Sequence, residues 1–83
     1  MRSIKLAKVV TVSQGRALLA VLIGSRKEAG LTQRELAQKM KRPQSFIAAT
    51  ETGELRLDVV EFFELATALG VDPVTLFERV ARW

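Results

Sequence analysis

The sequence predicts an all-α fold, a five-helix bundle with a short N-terminal arm, and three observations lead there. Apolar residues recur at three- and four-residue spacing through most of the 83 residues. Glycines stand where such segments stop, at Gly30, Gly53 and Gly70, and prolines stand where they start, at Pro43 and Pro73. Alternating, strand-like patterning is confined to the first dozen residues.

That opening stretch, 1–12, interleaves Ile4, Leu6, Val9, Val10 and Val12 with Lys and Thr. It reads as an arm, either a short strand or a segment that pairs with another subunit. The body follows as a single domain over 13–83. Its first helix is expected from about Gln14 to Ala29, with Ser13 as N-cap and Gly30 as the stop. Ala17 to Ile23 is apolar on every helical face, so more than one side needs cover. Gly24, inside this helix, costs about 1 kcal/mol relative to Ala and hints at close packing.

The second helix has the clearest start. Thr32-Gln33-Arg34-Glu35 is a capping box, in which the Thr32 hydroxyl accepts from the Glu35 amide and the Glu35 carboxylate accepts from the Thr32 amide. Leu31 and Leu36 flank it as a hydrophobic staple. The helix continues through Ala37 and Met40 to the basic turn Lys41-Arg42-Pro43. A third, short helix opens at Pro43 and ends near Thr52, before Gly53. The fourth starts at the N-cap Asp58 and carries Val59, Phe62, Leu65, Ala66 and Leu69. The fifth follows Asp72-Pro73 with Val74, Phe77, Val80 and Ala81. Leu22, Leu31, Leu36, Ile47, Phe62, Leu65 and Leu69 are the expected core.

Composition narrows the chemistry. The chain has no cysteine and no histidine, so disulfides, thiolate or imidazole metal sites and Cys/His catalysis are excluded. No glycine-rich phosphate loop is present, and the carboxylate pairs Glu51/Glu54 and Glu61/Glu64 read as solvated or capping acids. No enzyme, cofactor or metal is expected. The longest apolar run, Ala17–Ile23, is seven residues, against the roughly 20 that span a bilayer. No signal-peptide pattern follows Arg2, Lys5 and Lys8, and a reducing cytoplasm is the expected address. Charge is unevenly placed: residues 1–42 carry a net +8 and residues 43–83 a net −4. Such a division suits a basic face toward a polyanion, with acids turned away.

A capped helix, a basic turn and a second short helix, spanning 32–52, form a helix-turn-helix unit. Its wording is specific. Arg26-Lys27-Glu28-Ala29-Gly30-Leu31-Thr32-Gln33-Arg34-Glu35-Leu36-Ala37 opens it, and Pro43-Gln44-Ser45-Phe46-Ile47 follows the turn. Glu51-Thr52-Gly53-Glu54, Arg56-Leu57-Asp58-Val59-Val60-Glu61-Phe62 and Glu64-Leu65-Ala66-Thr67-Ala68-Leu69-Gly70-Val71-Asp72-Pro73 complete it. Over roughly Leu18 to Leu76 the chain resembles the Cro/CI-type (XRE) helix-turn-helix family, which is phage-repressor-like.

The resemblance implies a lambda-repressor-like DNA-binding fold and a set of roles. Gln33 matches a position that bonds a DNA phosphate at the helix N-terminus. Gln44 and Ser45 match the start of the recognition helix, and Ala49, one turn on, a base-contacting slot. A glutamine pairs bidentately with adenine, whereas alanine offers only a methyl group. Lys41, Arg42 and Arg56 would lie over phosphates, and Arg26 and Glu51 would form a structural ion pair. The chain departs from the family at Ala48-Ala49-Thr50, where polar residues and a tyrosine are usual, and at Leu55, where arginine is favoured. Those departures leave two outcomes open, modest base discrimination or a surface turned to a protein partner.

The resulting expectation is a transcriptional repressor binding double-stranded DNA as a homodimer on a palindromic operator. Leu76, Phe77, Val80 and Trp83 of the fifth helix, with the arm, are the candidate dimer surface. The alternative is a protein-interaction module such as an antitoxin, with a toxin-like partner and weak or residual DNA binding.

Overall fold

In the computed structural model the backbone is described from Arg2 to Trp83 and side chains from Gly15 onward. Five helices follow one another: α1 (Arg2–Glu28), α2 (Gln33–Met40), α3 (Gln44–Thr52), α4 (Val59–Leu69) and α5 (Pro73–Ala81). There is no strand among the described residues, so the all-α expectation holds. The first boundary differs. Ser13 falls inside α1, a continuous element of 27 residues. No proline precedes it, and Arg, Lys, Leu and Ala all favour helix, so nothing local imposes a break. The side chains of residues 1–12, and so whatever the expected arm touches, lie outside the described residues.

The helix ends follow local chemistry closely. Thr32 caps α2 through the full capping box: its Oγ1 accepts from the Glu35 amide at 3.0 Å, and Glu35 Oε1 accepts from the Thr32 amide at 2.9 Å. Asp58 and Glu61 make a second such box on α4, at 2.7 and 3.0 Å. Asp72 caps α5 by accepting from the Val74 amide at 2.7 Å. Gly53 and Gly70 close α3 and α4 in the left-handed conformation, with φ of 85° and 75°. The same conformation closes α2 at Lys41, φ 57°, the one non-glycine residue with positive φ among those described.

Each helix sends one face inward. Ala17, Val21 and Leu22 of α1 meet Leu36 and Ala37 of α2, Ile47 of α3, Leu65, Ala66 and Leu69 of α4, and Leu76 and Val80 of α5. Leu31 and Phe62 pack partly buried against this cluster. The expected core residues are therefore all in or against the core. Val59, on the helical stripe of α4, is 69% exposed. Two expectations change. Gly24 shows no close packing among the described residues, where an added Cβ would meet nothing within 4 Å outside its own helix backbone. Leu76 and Val80 pack into the core, 0% and 7% exposed. Their four-residue spacing places them on the one face of α5 that packs on α1 and α4. Phe77 and Trp83, by contrast, are exposed.

Candidate nucleic-acid interface

Helices α2 and α3 pack on each other through the turn 41–43, with the N-termini of both helices next to one another. The tie between them starts from a nearly buried ion pair. Arg26 Nε donates to Glu51 Oε2 at 2.6 Å, and Arg26 Nη2 donates to Glu51 Oε1 at 3.1 Å. The third guanidinium nitrogen donates to the Leu31 carbonyl at 2.9 Å. The Arg26 and Glu51 side chains are only 12% and 7% exposed. One side chain thus fastens the end of α1, the loop before α2 and the last turn of α3. The expected ion pair is present, in the bidentate form that suits a planar guanidinium.

Two glutamines extend this pair to the surface. Gln33 Nε2 donates to Glu51 Oε1 at 2.9 Å. Gln44 Nε2 donates to Gln33 Oε1 at 2.8 Å. Gln33, at the first position of α2, is half-buried, and Gln44, at the first position of α3, is exposed. Four residues spread over three helices thereby form one unbroken chain of hydrogen bonds. The two amides meet where the helix dipoles present positive ends and unpaired backbone N–H groups.

The basic residues of the turn part company. Lys41 is exposed. Arg42 is engaged within the protein: its Nη1 meets Glu61 Oε2 at 3.2 Å and its Nη2 meets Glu64 Oε1 at 3.1 Å. Its guanidinium also stacks 4.5 Å from the centre of the Phe46 ring. Arg42 therefore braces α3 against α4, because two carboxylates one helical turn apart match its fork. That arrangement does not leave it poised over a phosphate as the sequence implied. Arg56, in the loop before α4, is exposed and has no ion-pair partner among the described residues.

Along α3, Ser45 is exposed while Ala48 and Ala49 are half-buried. Thr50 is buried, 2% exposed, and its hydroxyl donates to the Phe46 carbonyl at 2.8 Å. At that position the unusual threonine satisfies its own polar group within the helix and is not offered outward. At the start of α3 the exposed side chains are Gln44 and Ser45, and Lys41 and Arg56 are exposed in the segments that flank the helix. Among the described residues no cluster of carboxylates could hold a metal ion.

A second surface was not legible in sequence. An apolar groove of about 720 Å³ runs between α1, α4 and α5, lined by Leu18, Val59, Phe62, Phe63, Val74 and Phe77 among others. Val59, Phe63, Val74 and Phe77 are all more than half exposed. Of the expected dimer residues, Phe77 and Val80 line it, Phe77 exposed and Val80 buried. Each residue alone fitted a helical stripe; their convergence depends on how α4 and α5 meet.

Comparison with known proteins bears on this geometry. A family model described as a helix-turn-helix domain matches residues 17–79. A curated relative, an uncharacterized HTH-type transcriptional regulator (y4dJ) of Sinorhizobium fredii, is 38% identical over 60 residues, covering 66% of this chain and 78% of its own length. Among solved structures, an XRE-family like protein from Pseudomonas syringae pv. tomato superposes with a TM-score of 0.86 at 40% identity, over 93% of this chain and 94% of its own. The clp gene regulator ClgR from C. glutamicum superposes with a TM-score of 0.75 at 25% identity, over 83% and 90%.

Proposed function

The chain belongs to the XRE-type helix-turn-helix family of DNA-binding transcription regulators, and on that premise we propose that it is a homodimeric repressor reading a two-fold symmetric operator through α3. The observation that carries the reading is the joined pair of amides, Gln33 and Gln44, held at 2.8 Å on the neighbouring N-termini of α2 and α3. In this role α3 enters the major groove. Gln44 and Ser45 meet base edges, Ala49 touches a thymine methyl, and Gln33 with the α2 N-terminus fixes a phosphate. Lys41 and Arg56 supply further phosphate contacts, while Arg42 contributes by holding α3 in place.

Lys41 adds independent support. A left-handed residue other than glycine costs on the order of 1 kcal/mol, and such strain persists where the side chain is used. A lysine in the turn leading to α3 has a use if phosphates lie there.

One short helix reads only half a site, and paired half-sites lie about 34 Å apart on one face of the duplex. The exposed groove with Phe63 and Phe77 is the surface suited to joining two copies. No described helix is long and apolar enough to cross a membrane, and a regulator of this kind meets DNA in the cytoplasm. The same groove favours a second reading, in which a toxin-like protein partner occupies it and DNA binding serves autoregulation.

Selection of bound duplexes from a random-sequence pool, across a salt series, tests the proposal. The expected result is enrichment of a symmetric site with affinity falling steeply as salt rises. An enriched single half-site would remove the dimer. Absence of binding at low salt would remove the DNA role and leave the protein partner.

A further inference from the structure

We infer that the first turns of α1, residues 2–12, of one copy cover the apolar groove between α1, α4 and α5 of a second copy, each chain giving its segment and receiving the other's. The inference rests on the homodimer proposed above and names what joins it. An exposed apolar groove gains by losing its contact with water. Length, position and charge together pick out the segment that covers it.

Helix α1 has 27 residues, about 40 Å at the rise of an α-helix, whereas α4, the next longest, has 11. The molecule extends 45 Å along its long axis and only 24 and 20 Å across. Among the described residues α1 enters the core from Ala17 onward, so roughly 20 Å of helix precede that point. The groove sits at this boundary, with Gly15 and Leu18 as its α1 wall. The wall thus runs on past the end of its own groove. Because α1 is unbroken through Gly15, its first turns lead away from that groove and do not bend back into it. A second copy related by a two-fold axis presents the same groove to them. The exchange is isologous, with every contact made twice.

The chemistry of the two surfaces agrees. Residues 2–12 include Ile4, Leu6, Val9, Val10 and Val12, with Leu6, Val9 and Val10 at the three- and four-residue spacing of a helical stripe. Their charged residues, Arg2, Lys5 and Lys8, are all basic. On the other side, Val59, Phe63, Val74 and Phe77 are more than half exposed. Asp58 is the one charged residue in the described lining of the groove, and Asp72 stands next to the lining residue Pro73. From Leu57 to Glu78, the stretch that carries α4 and most of α5, the chain holds five acids and no base. A basic, apolar helix end therefore meets an apolar floor with an acidic margin, and opposite charge steers the encounter and fixes its register. Two grooves pressed face to face would instead set acid against acid, which costs affinity.

The chain has no cysteine, so the full-length protein suits a test by engineered cysteine pairing. Leu6→Cys, Val9→Cys and Val10→Cys are each mixed with Val74→Cys, oxidised, and resolved without reductant. At least one mixture is expected to give a covalent dimer well above the yield of either partner alone. The arm position that pairs best is then combined with Val74→Cys in one chain, where covalent dimer is again expected. An oxidised monomer there would mean that the segment covers its own groove, and would overturn the exchange. Sedimentation equilibrium compares the wild type with Leu6→Asp/Val10→Asp, with helicity checked by circular dichroism. The dimer dissociation constant is expected to rise roughly tenfold or more in that variant. If the variant unfolds, the cross-links decide the matter. Mixtures with no excess cross-link, or a folded variant that dimerises like the wild type, overturn the inference and leave the dimer standing. A wild type that stays monomeric at high micromolar concentration overturns the homodimer reading itself.

Discussion

The face built by α2 and α3 and the face built by α4 and α5 are finished in opposite ways. On the first, the polar groups satisfy one another: Arg26, Glu51, Gln33 and Gln44 form one chain, and Arg42 is held by Glu61 and Glu64. On the second, Val59, Phe63, Val74 and Phe77 stand in water around a groove. The difference teaches what each face awaits. Preorganised polar groups lose little freedom on meeting a ligand and gain directional bonds. A contiguous apolar patch gains mainly by being covered, and exposed patches of this kind mark protein contacts.

The sharpest way to break the comparison is to cut the polar chain at its root. Glu51→Ala leaves the Arg26 guanidinium buried without its acid, and a loss of about 3–5 kcal/mol is expected in urea unfolding. A loss under about 1 kcal/mol would mean that water reaches the pair and that the face is looser than its distances imply. Next comes the groove. Phe77→Asp places a charge in the apolar surface and is expected to weaken self-association by about 2 kcal/mol or more, with unfolding little changed. Light scattering over a concentration series would show a monomer where the proposed function expects the wild type to be a dimer. A variant that still dimerises moves the contact elsewhere.

Gln44→Ala should weaken binding to the selected site by about 1–3 kcal/mol and relax the choice at a single base pair. Titration of matched and mismatched duplexes would show it, and a uniform loss across sequences would reassign Gln44 to the backbone. Arg42→Ala is expected to cost about 1 kcal/mol of stability, from half-exposed ion pairs and the stack on Phe46. If it instead reduces the salt dependence of DNA binding with stability intact, Arg42 leaves its acids for a phosphate. The smallest effect has two signs. Lys41→Gly should stabilise the fold by roughly 0.5–1 kcal/mol by relieving the left-handed strain. The same change should lower the slope of log affinity against log salt by about 1.

Much of the molecule was legible in the residues because its signals are local. The Thr32–Glu35 box, the stops at Gly53 and Gly70 and the start at Asp72-Pro73 depend on neighbours within four positions, so they stand in the chain as they stand in the structure. The Asp58–Glu61 box was equally available and went unread behind the simpler N-cap assignment. The start of α1 was misjudged because β-branched residues among the first twelve suggested an arm, and propensity is a weak guide where a helix can simply continue.

By itself, then, the sequence determined the helical class, the five segments, most of the core and the helix-turn-helix wording with its Arg26–Glu51 pair. Those follow from spacing, caps and a motif whose parts lie in order along the chain. Apart from the Arg26–Glu51 pair, which the family resemblance implied, only the tertiary structure decided the links that join residues from different helices. It gave Arg42 to Glu61 and Glu64, aimed Gln33 at both Glu51 and Gln44, sank Leu76 and Val80 into the core, and gathered Phe63, Val74 and Phe77 into one groove. The physical reason is that a side chain's partner depends on where the helix axes cross and on how each helix is rotated about its axis. Packing of the whole core sets both, and neither is written in the three- and four-residue spacing of any single segment.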